Sequence, residues 1–339
     1  MSYRQLGQTH LFFTGSIQVI MHDNLQANFL YGYLDVLPAA FDAPVYLSHA
    51  GNKDLVGFSE NQALNHYQDF GINEGRICSV VNSRSAFLQL IPREASILEV
   101  GPFFSPAFRR PEYNVRYIDC LSGDELRSRA TLTPGADPGL VPEIDYVWQG
   151  QPYCELIDER FEVVFSSHNI EHQPCLVTHL NDLSSVLLPG GAVFLAVPDK
   201  RYCFDHFLPS TQLPDVLQAW VDENKRPGVK EVLEHHFFTT HNDPLRHWQG
   251  DYGRDALREG LENERIDQLR QEIEAFKLRR EYIDVHMWKF EPINFAAILD
   301  ALWRLRLTDL RLVRLYPTVK DSNEFYAVLS LDADARSAA

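Results

Sequence analysis

Two short segments constrain this chain more than any others: Ser96-Ile97-Leu98-Glu99-Val100-Gly101-Pro102, and Val115-Arg116-Tyr117-Ile118-Asp119 shortly after it. Each is a short apolar run ending at a polar group, which is how a buried parallel strand reads. A tight glycine turn after one strand and a carboxylate at the end of the next are what a doubly wound sheet uses to hold a ribose at its carboxyl edge. A dinucleotide site would offer three glycines so that backbone could approach a pyrophosphate. Here Gly101 is followed by Pro102-Phe103-Phe104-Ser105-Pro106, which disfavours pyrophosphate binding.

The rest of an α/β sheet can be followed downstream. Phe161 to Ser167 reads as a strand and Cys175 to Leu187 as an amphipathic helix. Leu188-Pro189-Gly190-Gly191 is expected to stop that helix before the strand Ala192 to Pro198. Leu310 to Leu315 and Glu324 to Leu331, with Tyr316-Pro317-Thr318 and polar residues between them, are suited to pair as an antiparallel hairpin. Pro292 to Leu305 reads as a helix with proline at a favourable start.

Taken in order, Glu99-x-Gly101, Asp119, the strand ending Ser166-Ser167-His168-Asn169-Ile170-Glu171-His172, and Leu188-Pro189-Gly190-Gly191 resemble class I S-adenosylmethionine-dependent methyltransferases over roughly residues 85 to 332. Val-Pro-Asp199-Lys-Arg201-Tyr-x-Phe-Asp205 and His286-x-Trp288-x-Phe290 resemble, more narrowly, bacterial methyltransferases associated with surface-polysaccharide synthesis. The resemblance implies a Rossmann-like α/β sheet with a terminal antiparallel strand, S-adenosylmethionine as cofactor, and methyl transfer to oxygen on a sugar or glycan intermediate. A non-catalytic relative serving as an interaction module in a glycan-synthesis assembly is the other class. Retention of Asp119 and His172 favours catalysis.

On this reading Asp119 accepts both ribose hydroxyls and Glu99 orients the amino-acid end, directly or through water. Gly101 permits close approach. Pro102 stiffens the loop. Phe103 or Phe104 covers the methionine end, unless both rings are core. Trp148 and Gln149 lie near the adenine, and Ser167 and His168, at the end of the fourth strand, complete the cofactor side. Related sequences tend to carry an acidic residue where Gln149 stands.

Transfer to a hydroxyl requires an oxygen held in line with the methyl and a group to take its proton. His168 and His172 should emerge near the transferred methyl. The spacing His168-x-x-Glu171-His172 also matches the inverted zinc-protease pattern, but outside the helix and fold that pattern needs. Some O-methyltransferases resembling this chain, ubiquinone-pathway and small-RNA terminal enzymes among them, bind a divalent ion through Glu-x-x-Glu-His at this position. Here His168 replaces the first Glu, which makes magnesium a poorer fit and leaves room for a softer ion. The expectation is therefore a metal-free mechanism, with His172 or a histidine of the insertion (His235, His236 or His241) as general base. Glu171 and His172 are the alternative metal ligands.

Two additions flank the core. Residues 1–84 are read as a helical extension, 200–290 as a helical insertion within the 85–332 domain, and 333–339 as a tail. In the extension, Ser59 is a candidate N-cap, Ala63, Leu64 and Tyr67 share a helical face, and Gly71 stops the helix. His66-Tyr67-x-x-x-Gly71-x-x-Glu74-Gly75-Arg76 resembles a helical module of bacterial glycosyltransferase-type chains, which points to a partner of that type; a packing element is the plainer alternative. Residues 1–43 are apolar enough to fold but carry no motif. The insertion holds candidate helices at Leu213 to Asn224 and Gly260 to Arg280 and a His-rich stretch from Glu234 to His247. Ligands of open α/β sheets bind beyond the carboxyl ends of the strands, so the insertion is read as a cap over the acceptor, or else as an oligomerisation arm.

Composition sets the outer limits. A formal charge of −16 argues against a nucleic-acid substrate, which would need clustered Lys and Arg, and fits a small or neutral acceptor. The five cysteines form no Cys-x-x-Cys pair, so neither a zinc ribbon nor a disulfide framework is indicated. Leu11-Phe12-Phe13 is too short for a membrane span and lacks the flanks of a secretion signal, so a cytoplasmic protein is expected.

Overall fold

The computed structural model describes residues 41–279 and 281–331. The remaining parts of the extension and the tail, including the apolar runs Leu11-Phe12-Phe13 and Phe29-Leu30-Tyr31, lie outside them.

The strands are β1 (Ser96–Val100), β2 (Asn114–Asp119), β3 (Tyr146–Val147), β4 (Phe161–Ser167), β5 (Leu187–Pro198), β6 (Leu310–Tyr316) and β7 (Glu324–Leu331). They form one sheet in the order β3-β2-β1-β4-β5-β7-β6. β1 to β5 are parallel, and β7 inserts antiparallel between β5 and β6. This is the Rossmann-like α/β sheet with a closing antiparallel pair that the sequence implies. Side chains alternate between two cores, as the two-residue period of a strand dictates. Leu98, Val100, Val164 and Val193 face one side with the helices Leu176–Ser185 and Pro292–Arg304; Ile97, Val163, Phe165 and Phe194 face the other with Phe87 and Phe108. Each fully buried side chain of this kind contributes about 1.5–3 kcal/mol relative to exposure. Burial on both faces is why these strands are continuous apolar runs.

The Leu188-Pro189-Gly190-Gly191 segment is not the helix stop expected. The helix already ends at Ser185, and β5 begins at Leu187, which pairs with Phe161. From there the register runs to Val163 opposite Ala192, five residues on one strand against two on the other, so the segment is a large bulge. Gly191 is needed because a Cβ there would lie 2.9 Å from the Glu162 carbonyl. Close approach between strands, not a left-handed helix exit, explains that residue.

The extension has a core of its own, built on Phe41, Tyr46, Leu55, Ala63 and Tyr67. Ser59 caps the helix Glu60–His66 through a reciprocal capping box with Gln62, as expected. That helix continues through a π-turn, Tyr67–Gly71, so Gly71 does not stop it. A Cβ at Gly71 would come within 2.5 Å of both the Tyr46 hydroxyl and the Tyr67 ring, so glycine is there for space. The module docks where Gly75 approaches Trp248, and its carbonyl accepts from the Lys320 amide at 2.9 Å.

In the insertion, Leu213–Val221 buries Val216 and Ala219 in the sheet-face core and so belongs to the layer rather than to a roof. The helices Val229–Phe238 and Asn263–Leu278 pack together outside it. Among the described residues no helix is long and apolar enough to cross a membrane.

Candidate functional site

The strand order reverses between β1 and β4, and the crevice beyond their carboxyl ends is where such sheets bind ligands. One wall is the β1/β2 edge. Gly101 has φ +65° and donates its amide to the Ile118 carbonyl at 2.8 Å; a Cβ on it would lie 2.7 Å from Asn169 Nδ2. Both the backbone angle and the space therefore demand glycine. Asp119 is 7% exposed at the end of β2, and one of its oxygens accepts from the Leu121 amide at 3.0 Å. Burial holds its carboxyl above the usual range despite that amide.

Glu99 is expected to orient the amino-acid end of the cofactor, directly or through water. Its two oxygens instead accept from the Ala107 and Phe108 amides, at 2.6 and 3.1 Å. It thus acts by tying down the loop after Gly101. Burial pushes its carboxyl up to about 7, against the pull of those amides. The two phenylalanines divide the alternatives between them. Phe104 packs with Leu126, Ala130 and Val141, whereas Phe103 is 40% exposed, stacked on Phe104 and lying under the Arg129 guanidinium. Pro102 is buried beneath the loop. At the far end, Trp148 packs against the core with its indole N–H on the Gln151 carbonyl, while the Gln149 side chain is exposed.

The other wall is the segment after β4. Ser167 still pairs with Ala196, and His168, at φ +46°, turns the chain out of the sheet. Buried Ile170 anchors a short 3-10 turn, Ile170–His172, which carries Glu171 inward until it is fully buried. Neither Glu171 oxygen accepts a hydrogen bond. Around its Oε1 stand three imidazole nitrogens: His172 Nε2 at 3.6 Å, His286 Nε2 at 3.8 Å and His168 Nδ1 at 3.9 Å. The far nitrogen of each faces another carboxylate: His172 Nδ1 lies 2.8 Å from Asp284, His286 Nδ1 2.5 Å from Asp205, and His168 Nε2 3.0 Å from Glu324. Burial alone would lower the His172 pKa, but Asp284 and Glu171 outweigh it and raise it. Burial would raise Glu324, but His168 and Arg84 outweigh it and hold it down to about 2.

His286, Asp205, Asp284 and Glu324 were not singled out as site residues from sequence. His286 and Asp205 do fall within the motif-like patterns around residues 199–205 and 286–290. The chain holds His286 in place because the Glu171 carbonyl accepts from the Met287 and Trp288 amides, at 2.7 and 3.1 Å. Tyr282 adds a bond from its hydroxyl to the His172 carbonyl.

The insertion histidines separate. His235 has a buried, unpartnered Nδ1, and its pKa is lowered by burial and then by neighbouring His286, so it faces the cluster. His236 is corrected: its Nδ1 turns toward Glu272 on the outer helix, at 4.0 Å. His241 is corrected as well, since its Nε2 is held on the Asp251 carbonyl in a separate group with His247. His241 is thus held within the insertion, and His236 lies on the side of the outer helix.

No family model matches the sequence, and no curated protein sequence matches it. Among solved structures, the CcbJ methyltransferase from Streptomyces caelestis is 13% identical over 73% of this chain and 92% of its own, with a TM-score of 0.36. A DhpI–SAH complex is 12% identical over 86% and 95%, with a TM-score of 0.36. A putative Zn-dependent alcohol dehydrogenase from Rhodobacter sphaeroides is 12% identical over 73% and 88%, with a TM-score of 0.37. Scores this low mark a likeness of general layout only; the strand order and register of the chain itself define its α/β fold.

Proposed function

We propose that this chain is an S-adenosylmethionine-dependent methyltransferase acting on a hydroxyl of a sugar or glycan intermediate. The observation that carries the reading is the facing of two walls across one crevice. One wall has a glycine turn and a strand-end carboxylate, the other a buried carboxylate ringed by imidazoles, and Asn169 stands against Gly101 where they meet.

The residues fit such a cofactor. Gly101 lets the Asn169 side chain stand against the loop where any Cβ would clash, Asp119 can accept ribose hydroxyls at the end of β2, and Glu99 pre-orders the loop that carries Phe103. When bound, S-adenosylmethionine supplies an electrophilic methyl group. The protein must hold the acceptor oxygen in line and take its proton. His168 and His172 are the imidazoles of the cluster open to an acceptor, with side chains 35% and 26% exposed, whereas His286 is buried. Glu324 keeps the ring of His168 oriented, with Nδ1 toward the cluster. The sugar acceptor is supported by the narrower sequence resemblance and by the net charge of −16, which suits a neutral acceptor better than a phosphate-rich one.

Calorimetry of the purified chain with S-adenosylmethionine and S-adenosylhomocysteine tests the first part, and one-to-one binding is the expected result. A folded protein that binds neither overturns the enzyme reading. Mass spectrometry of products from a panel of neutral and amino-sugar glycosides and oligosaccharides tests the second: methylation on nitrogen would keep the enzyme and remove the hydroxyl acceptor.

A further inference from the structure

Glu171 is the least explained group in the molecule. A fully buried carboxylate with no hydrogen bond to either oxygen is strongly unfavourable unless something else compensates its charge. Protonated imidazoles could do so, yet His172 and His286 each already face a carboxylate of their own, Asp284 and Asp205. His168, the third imidazole beside Glu171, faces Glu324 in the same way. A cation bonded to Glu171 would compensate its charge directly.

We propose that Glu171, His172 and His286 hold a divalent transition-metal ion, and that this ion clasps the insertion to the sheet. One oxygen or nitrogen from each lies within 4.8 Å of the others. Around an ion with bonds of about 2.0–2.2 Å, neighbouring ligand atoms sit roughly 3–3.5 Å apart. The observed 3.6 and 3.8 Å from Glu171 Oε1 to the two nitrogens therefore close with shifts of a few tenths of an ångström. The remote nitrogen of His286 is hydrogen-bonded to Asp205, the arrangement that fixes tautomer and ring direction at metal sites, and Asp284 lies 2.8 Å from the remote nitrogen of His172. Two imidazoles and one carboxylate suit zinc, iron(II), cobalt or manganese rather than magnesium, and a three-ligand set leaves positions open for an acceptor oxygen. His168 stands outside the trio with its Nδ1 toward Glu171, free to take a proton.

The clasp follows from where the ligands originate. Glu171 and His172 follow β4, whereas His286, its partner Asp205, and Asp284, the partner of His172, come from the two ends of the insertion. An ion bonded to both sides adds to the hydrogen bonds that already join them, from the Met287 and Trp288 amides to the Glu171 carbonyl, from the Trp288 indole to the Gln173 carbonyl and from the Tyr282 hydroxyl to the His172 carbonyl.

The ion can be tested without any methyl transfer. The full chain, stripped with chelator and dialysed, should take up about one equivalent of cobalt(II), with visible d–d absorption, and zinc(II) should displace it while a large excess of magnesium should not. Glu171→Gln and His286→Gln should abolish the absorption. Asp205→Asn, which keeps all three ligands and nearly the same shape, should weaken cobalt affinity about 10–100-fold. Limited proteolysis should cut within 200–290 faster in stripped than in loaded protein, and equally fast in both states of Glu171→Gln. Wild-type protein with native circular dichroism that shows no cobalt absorption would overturn the site. A spectrum unchanged in both Gln variants would place the ion elsewhere. Loaded and stripped protein cut at equal rates would overturn the clasp alone. The inference is separable from the methyltransferase reading: cobalt binding without S-adenosylmethionine binding removes only the latter, and the converse removes only the former.

Discussion

The two walls of the crevice are built in opposite ways. The β1/β2 edge is local: Glu99, Gly101, Phe103 and Asp119 lie within one strand-loop-strand stretch, and backbone geometry does most of the positioning. The wall after β4 is assembled from afar, with His168, Glu171 and His172 meeting Asp205, Asp284, His286 and Glu324 across as many as 156 residues of sequence. A backbone-built edge tolerates side-chain changes outside its few special positions. A side-chain cluster depends on every member, because each buried charge is balanced by the next.

The largest effect should come from the assembled wall. His172→Ala is expected to lower single-turnover methyl transfer about 10²–10⁴-fold while leaving S-adenosylmethionine affinity by calorimetry nearly unchanged. A parallel loss of cofactor affinity would break the comparison by showing that the two walls act as one. Asp119→Ala makes the complementary cut: cofactor binding should weaken by about 1–3 kcal/mol through lost charge-assisted hydrogen bonds, with cobalt binding untouched.

Gly101→Ala probes the seam. A side chain at φ +65° costs about 1–2 kcal/mol and would press on Asn169, so denaturant melts should lose roughly that much stability. Cofactor affinity and turnover should fall together here, unlike in the two single-wall variants. If only cofactor affinity falls, Asn169 does not couple the walls.

The effect that vanishes at neutral pH lies away from both. His179, buried in the helix Leu176–Ser185, has its pKa pushed down by burial to about 3 from an ordinary 6.5. The unfolded chain therefore binds a proton that the folded chain refuses. Its contribution is complete above pH 6.5 and is lost as pH falls toward 3, by up to about 1.4 kcal/mol per pH unit. His179→Leu should flatten that acid limb in pH-dependent melts without changing either wall. An unchanged slope would mean that the ring reaches water in the folded protein.

Sequence reasoning read the two walls unequally. Asp119 and Gly101 were legible because a strand end and a glycine turn are short-range features. Glu171 and His172 were legible as residues but not as a cluster, since nothing in their spacing showed that His286 would be drawn in by the Glu171 carbonyl. His236 and His241 looked equivalent to His235 in a His-rich stretch, yet helix facing and loop contacts send them to Glu272 and Asp251. Gly71 and Gly191 read as helix punctuation and proved to be points of close packing, a distinction that depends on what lies opposite.

What the sequence determined by itself is therefore the α/β sheet, its closing hairpin and the glycine turn and carboxylate of the β1/β2 edge, because burial on both faces and backbone conformational limits leave their marks on contiguous residues. Only the tertiary structure decided which histidines surround Glu171, which carboxylates stand behind them, and that the insertion's two ends close over β4. Those contacts are set by chain segments meeting in space, and the energy of a buried charge depends on neighbours that no local pattern names.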